Sequence, residues 1–228
     1  MITRSGWLYK KPDWTTQEFR RYWIENHGAI AETLPNLLRY DQNHVVDRTQ
    51  RGFTSPRGPE NLDGVSMLWF EDEATMRAAI NTDAGRALAE DEKILMGDIN
   101  IIAYDQTTII APPADGPMVK QLALIKRRPD VSAAAFQEAW STEHARLVAQ
   151  LPGIRGYRQN LIKHREAPKG NVVDYDGLPV DGMSEIWFDD LAALDAAFAS
   201  PEGRALQAQT DQIISEITTF MIEVHVVV

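Results

Sequence analysis

The chain has 228 residues, enough for one or two domains at roughly 150 residues each, and its 44% hydrophobic and 25% charged residues exclude a disordered, collagen-like or wholly coiled-coil chain. The formal charge of −10, from 23 Lys and Arg against 33 Asp and Glu, argues against nucleic acid or an anionic membrane as a partner. With no cysteine there is no disulfide, thiolate metal site, iron–sulfur cluster or cysteine nucleophile, and a reducing cytoplasm is the expected compartment.

Met1 to Pro12 lacks the apolar stretch of a signal peptide, and no run approaches the roughly 18 apolar residues of a membrane span, so a soluble protein is expected. Ile2 to Lys10 reads as a strand. Thr15, with Glu18 three residues on, is a capping box that opens a helix. Phe19, Trp23, His27, Ile30 and Leu34 then fall within an arc of roughly 80°, with His27 at its edge. Pro35 stops this helix. A strand follows near Leu37 to Val46, then a Gly- and Pro-rich loop from Asp47 to Leu62, and a third strand over Val65 to Phe70. Asp72 to Ile80 reads as a helix, Thr82 caps a shorter one, and a long strand from Ile99 to Ile110 closes the series. Residues 111–117 hold three prolines and a glycine and read as a linker.

The series then repeats. Strands are expected at Val119 to Lys126, Ile154 to Ile162, Met183 to Phe188 and Ile217 to Val228. Ser132 caps a helix whose apolar face is Phe136, Trp140, His144, Leu147 and Leu151; Leu191 to Ala199 forms the next, and Ser200 with Pro201 opens a short third. The two halves match residue by residue. Lys11-Pro12-Asp13 meets Arg128-Pro129-Asp130, Leu34-Pro35 meets Leu151-Pro152, and Tyr40, Gln42 and Asn43 meet Tyr157, Gln159 and Asn160 without a gap. After one inserted residue, Asp63-Gly64 meets Asp181-Gly182, Trp69-Phe70 meets Trp187-Phe188, and Gly85-Arg86-Ala87-Leu88 meets Gly203-Arg204-Ala205-Leu206. The chain is therefore read as two copies of one domain, 1–110 and 118–228, joined by the linker 111–117.

Each copy has the order β-α-β-β-α-β, the ferredoxin-like plan of an α+β fold. Helices cover one face of such a sheet and leave the other, apolar face in need of a partner. The second copy supplies it, which gives a barrel-like pseudo-dimer.

Leu124-Ile125-Lys126-Arg127-Arg128-Pro129-Asp130, then Phe136-x-x-x-Trp140-x-x-x-His144, then Leu151-Pro152-Gly153 with Tyr157-x-Gln159-Asn160, resembles the EthD family. So do Phe19-x-x-x-Trp23-x-x-x-His27-Gly28, Tyr40-Asp41-Gln42-Asn43-His44-Val45, the Asp-Gly-x-Ser-x-x-Trp-Phe segments at 63–70 and 181–188, and Ser200-Pro201-Glu202-Gly203. The resemblance covers both halves. It implies the dimeric α/β-barrel superfamily, a tandem chain in place of a homodimer, and a further homodimer as an open question. It also implies a style of site without naming a reaction. Similar proteins include cyclases, dehydratases, decarboxylases, cofactor-free oxygenases of aromatic polyketides and lactone isomerases, and some superfamily relatives bind haem.

The candidate catalytic residues are His27, His44, Tyr40 and His144. A histidine exchanges protons near neutrality without a cofactor; the alternative for His27 and His144 is a core imidazole tied to a backbone carbonyl. His44 is singled out because the second copy has Leu161 there, and its alternative is a solvated strand end. Tyr40 and Tyr157 can donate to a developing oxyanion or simply fill the core. Trp23, Asn43, Trp69, Tyr157, Asn160 and Trp187 are the candidate substrate-binding residues. Strand alternation puts Tyr40, Gln42 and His44 on one face and Asn43 on the other. Glu223 with His225, and Arg86 with Arg204, read as surface groups. No metal-ligand spacing, phosphate loop or serine elbow is present, so no metal or cofactor is expected. The expected function is a cofactor-independent lyase, dehydratase, cyclase or isomerase acting on a small aromatic or cyclic molecule, in aromatic-compound catabolism, by histidine acid–base chemistry. The alternatives are a non-catalytic binding or accessory protein and a haem-binding or oxygen-using one.

Overall fold

The computed structural model describes residues 1–114 and 116–228; Asp115, within the segment read as a linker, lies outside the described residues. The first copy runs β1 (Ile2–Lys10), α1 (Thr16–Tyr22), a π-helical turn (Trp23–His27), α2 (Gly28–Ala31), β2 (Arg39–Asp47), β3 (Gly64–Phe70), α3 (Glu73–Ile80), α4 (Asp83–Leu95) and β4 (Met96–Ile110). The second repeats it as β5 (Val119–Arg127), α5 (Ala133–Ala139), a π-helical turn (Trp140–His144), α6 (Ala145–Ala149), β6 (Gly156–Glu166), β7 (Gly182–Phe188), α7 (Leu191–Ala199), α8 (Pro201–Ile213) and β8 (Ile214–Val226).

All eight strands form one closed antiparallel barrel in the order β1-β3-β2-β8-β5-β7-β6-β4. Each copy contributes four strands, and the two sheets are stitched by β2 against β8 (Gln42 opposite His225) and β4 against β6 (Gln106 opposite Asn160). Closure removes the edge strands that an isolated copy would expose. Alternation sends Trp7, Val65, Met67, Ile102, Leu122 and Phe220 into the barrel, and the opposite face packs under the helices.

The capping box is present: Thr15 Oγ1 accepts from the Glu18 N–H at 3.2 Å, and Glu18 accepts from the Thr15 N–H at 2.8 Å. Ser132, Thr82 and Ser200 cap as their sequences imply. Two features differ from the expectation. The helices opened by Thr82 and Ser200 are 13 residues each, longer than the 8 and 9 of α3 and α7. They run straight into β4 and β8 without a loop. The first helix of each copy is interrupted by a π turn at Trp23–His27 and at Trp140–His144. Gln42 and Gln159, reaching from β2 and β6, each donate to the Trp carbonyl that opens the turn, at 2.7 Å.

Candidate functional site

The π turn of the first copy ends on His27, whose ring meets α4. His27 is almost wholly buried, and its Nδ1 lies 2.6 Å from Asp91 Oδ2 on α4. Tyr22 donates to the other Asp91 oxygen at 2.7 Å. Burial would raise the Asp91 pKa, but the hydrogen bonds from His27 and Tyr22 and the charge interaction with His27 outweigh it and hold the carboxyl below its usual range. An ionised Asp91 accepts from Nδ1–H, so in the neutral ring Nε2 is the nitrogen that carries the lone pair.

His27 lines a cavity between the outer face of the first sheet and the helices, together with Arg4, Tyr40, Leu68, Leu88 and Glu92. The cavity is small, about 30 Å³, so it has room for water as it stands and admits a ring only if its walls move apart. Tyr40 is buried in its wall; its hydroxyl accepts from Trp23 Nε1 at 2.9 Å and Gln42 Nε2 at 3.4 Å, which leaves its own proton to donate. Burial pushes the Tyr40 pKa well up, so the phenol stays protonated. Lys169 enters from the second copy's loop 167–181 and pairs with Glu92 at the cavity's edge.

The second copy is not equivalent. His144 is buried in the matching place, but its Nδ1 faces the neutral amide of Gln209 at 2.7 Å where the first copy has Asp91. Burial, only partly offset by Gln209, pushes its pKa down to about 4. The counterpart of the cavity is filled. Phe53, from the first copy's loop 48–63, packs into a cluster with Val148, Leu151 and Leu206, which match Ala31, Leu34 and Leu88 of the first cavity. Phe53 stacks edge-on against Phe198 at 4.9 Å, and Gln207 holds the loop through the Thr54 N–H at 3.0 Å.

His44 is on the same sheet face as Tyr40 but does not line the His27 cavity. Its ring packs against Trp23, 4.5 Å between centroids, and neither ring nitrogen has a partner. Burial, together with nearby Arg20 and His225, pushes its pKa down to about 3, so it is neutral. Trp23 therefore supports Tyr40 and His44. Tyr157 accepts from Gln159 at 2.7 Å under the plugged copy, but Trp140 Nε1, unlike Trp23 Nε1, has no partner.

Asn43, Asn160, Trp69 and Trp187 lie on the barrel-interior face, across the sheet from His27. There Lys120 Nζ bridges Asn43 Oδ1 at 2.7 Å and Glu185 at 2.6 Å, Asn160 donates to Glu185 at 2.9 Å, and Gln106 donates to Asn160 at 2.9 Å. Burial opposes the Glu185 charge, but Lys120, with help from Arg158, overcomes it and keeps the carboxyl below its usual range. Lys120 sits over the Trp187 ring. Asn43 thus ties the two copies together through Lys120.

Sequence reasoning missed Asp91, Arg4, Phe53 and Lys169. Asp91 carried a signal: it differs from its counterpart Gln209, as His44 differs from Leu161, but it sits in the polar run Glu90-Asp91-Glu92-Lys93 that reads as solvated. Among the described residues no cluster of His, Asp and Glu is arranged as metal ligands, and no helix is long and apolar enough to cross a membrane.

A duplicated ferredoxin-like chain closed into a single α/β barrel, with one open histidine cavity, is the class this molecule defines. The EthD domain matches residues 11–98 and again 128–216, and the chain belongs to the EthD family. It is 29% identical over 90 residues to an uncharacterised 11.0 kDa protein of Rhodococcus erythropolis, spanning 39% of this chain and 78% of that one. An EthD family protein from Bacillus halodurans C-125 is 27% identical and covers 46% of this chain and 97% of its own, with a TM-score of 0.38. An anthrone oxidase-like protein shares the whole fold: TM-score 0.64, 11% identity, 99% of this chain and 92% of that one.

Proposed function

We propose that the first-copy cavity is an acid–base site for a small hydrophobic aromatic or cyclic molecule, and that the chain is a cofactor-independent enzyme of the lyase, dehydratase, cyclase or isomerase kind. The observation that carries this reading is the His27–Asp91 pair at the wall of a cavity, in a protein whose other copy has Gln209 in place of the carboxylate and a filled counterpart of the cavity. His27 Nε2 takes a proton from a carbon or oxygen acid and returns it elsewhere on the same molecule. Asp91 holds the tautomer and stabilises the imidazolium. The Tyr40 hydroxyl donates to the oxyanion that forms, and the apolar walls keep water out.

Deuterium uptake tests this for any substrate that carries an acidic C–H. Phenols and cyclic or aromatic ketones are incubated with the protein in heavy water, and exchange at acidic C–H positions is followed by NMR. We expect exchange that falls about 10²–10⁴-fold in His27→Asn and about 10–100-fold in Asp91→Asn. Exchange at the same rate in His27→Asn would overturn the reading.

The whole-chain likeness to an anthrone oxidase-like protein favours one second reading, in which the same base ionises the substrate for reaction with molecular oxygen. Oxygen uptake with the same compounds, measured with an electrode, separates the two.

A further inference from the structure

Arg4 is the charged group that the acid–base chemistry of His27 leaves unused. It stands on β1, on the sheet's outer face, and lines the same cavity as His27 and Tyr40. A guanidinium carries five N–H donors in a flat fork and does not give up its proton in proteins. Among the described residues, Arg4 forms no side-chain hydrogen bond and no ion pair. The carboxylates near it, Glu92 and Glu166, are committed elsewhere: Glu92 to Lys169, and Glu166 to the Gly170 N–H at 2.7 Å and His164 at 3.1 Å. Asp91 is taken by His27 and Tyr22.

The second copy shows what this position looks like without a ligand to hold. Its counterpart of Arg4 is Gln121, whose amide donates to the Arg51 carbonyl of the plugging loop at 3.2 Å, and its counterpart of Glu92 is Thr210. The cation is present in the open cavity and absent from the filled one. Arg4 is half-buried, and burial lowers its pKa; a partly desolvated cation costs stability unless something pairs with it, and a planar fork fits a carboxylate through two parallel hydrogen bonds.

We propose that the ligand of the first-copy cavity is an aromatic or cyclic carboxylate, with its carboxylate on Arg4 and its ring against Leu68 and Leu88, admitted by movement of the cavity walls. This deepens the acid–base reading and rests on it for the identity of the cavity as the site.

Calorimetric titration near neutral pH tests the proposal with matched pairs: benzoate against benzamide, and cyclohexanecarboxylate against cyclohexanecarboxamide. The acid of a pair is expected to bind about tenfold more tightly than its amide, or better. In Arg4→Gln, which installs the residue with which the second copy already folds, that preference should fall to about unity. His27→Asn should keep the acid preference while losing deuterium exchange. Amides that bind the natural chain as well as their acids overturn the carboxylate assignment and leave the His27 reading standing, as does an Arg4→Gln chain that keeps the preference. Failure of all four compounds to bind overturns both.

Discussion

His44 shows how burial alone sets the charge of a single residue. Its ring lies against Trp23 with both nitrogens unpartnered, and its pKa is pushed down to about 3. The unfolded chain takes up a proton at this position below about pH 6.5 while the native chain does not. The unfolded state therefore binds more protons, and this residue's contribution makes stability rise with pH between about 3 and 6.5, by at most about 1.4 kcal/mol per pH unit. His44→Leu installs the side chain of Leu161 and removes two unsatisfied nitrogens from the core. The variant should be more stable at neutral pH by about 1 kcal/mol, a rise of roughly 2–4 °C in the thermal midpoint. Its midpoint should also fall less between pH 7 and pH 5 than that of the natural chain. His144, with its pKa near 4, keeps part of the acid slope in both proteins. A midpoint several degrees lower at neutral pH would show that the imidazole is a needed structural group.

At the scale of elements, the motifs that made the repeat visible turn out to be the fittings between helix and sheet. In each Asp-Gly pair the carboxylate accepts from a backbone N–H at the end of the first strand: Asp63 from Lys10 at 2.9 Å, Asp181 from Arg127 at 2.8 Å. The glycine leaves room for a tryptophan from the π turn. A Cβ on Gly64 would stand 2.4 Å from the Trp23 ring, and one on Gly182 would stand 2.6 Å from the Trp140 ring. Both rings are fully buried, so Gly64→Ala should cost about 1–3 kcal/mol, read as a lowered midpoint; an unchanged midpoint would mean the Trp23 side of the sheet is loosely packed. Spacing thus revealed the strands, caps and helix faces, because periodicity and capping chemistry act over a few residues. The π turns were not legible, since they depend on Gln42 and Gln159 reaching across from another element. Likewise His27 stood out by its place on the helix, whereas Asp91 and Arg4 join it only after β1 and α4 come together.

For the whole molecule, the decisive feature is that each copy lends its long loop to the other. Loop 167–181 brings Lys169 to the rim of the first cavity, while loop 48–63 drives Phe53 into the second. Chain duplication freed the two halves to diverge: one has a carboxylate-supported histidine and an unspent arginine, and the other keeps His144 but has Gln209 and Gln121 in place of Asp91 and Arg4 and closes over. The sequence displayed the first of these loops, Asp47 to Leu62, as a Gly- and Pro-rich stretch but not the exchange, because nothing local encodes which barrel half a loop will cross to. If Phe53 is the plug, removing it should reopen a cavity in which His144 stands. Phe53→Ala should cost about 3 kcal/mol, from lost burial and the void left behind, or roughly 6–12 °C in the midpoint. Water admitted beside His144 would relieve the desolvation that lowers its pKa, so its imidazole resonances should titrate nearer the ordinary value than about 4. The first cavity has a separate lining, and deuterium exchange through His27 should continue at its original rate. A Phe53→Ala chain with an unmoved His144 titration would mean that the cluster beneath the loop collapses onto itself, and that helix packing, with no help from the exchanged loop, closes the second site.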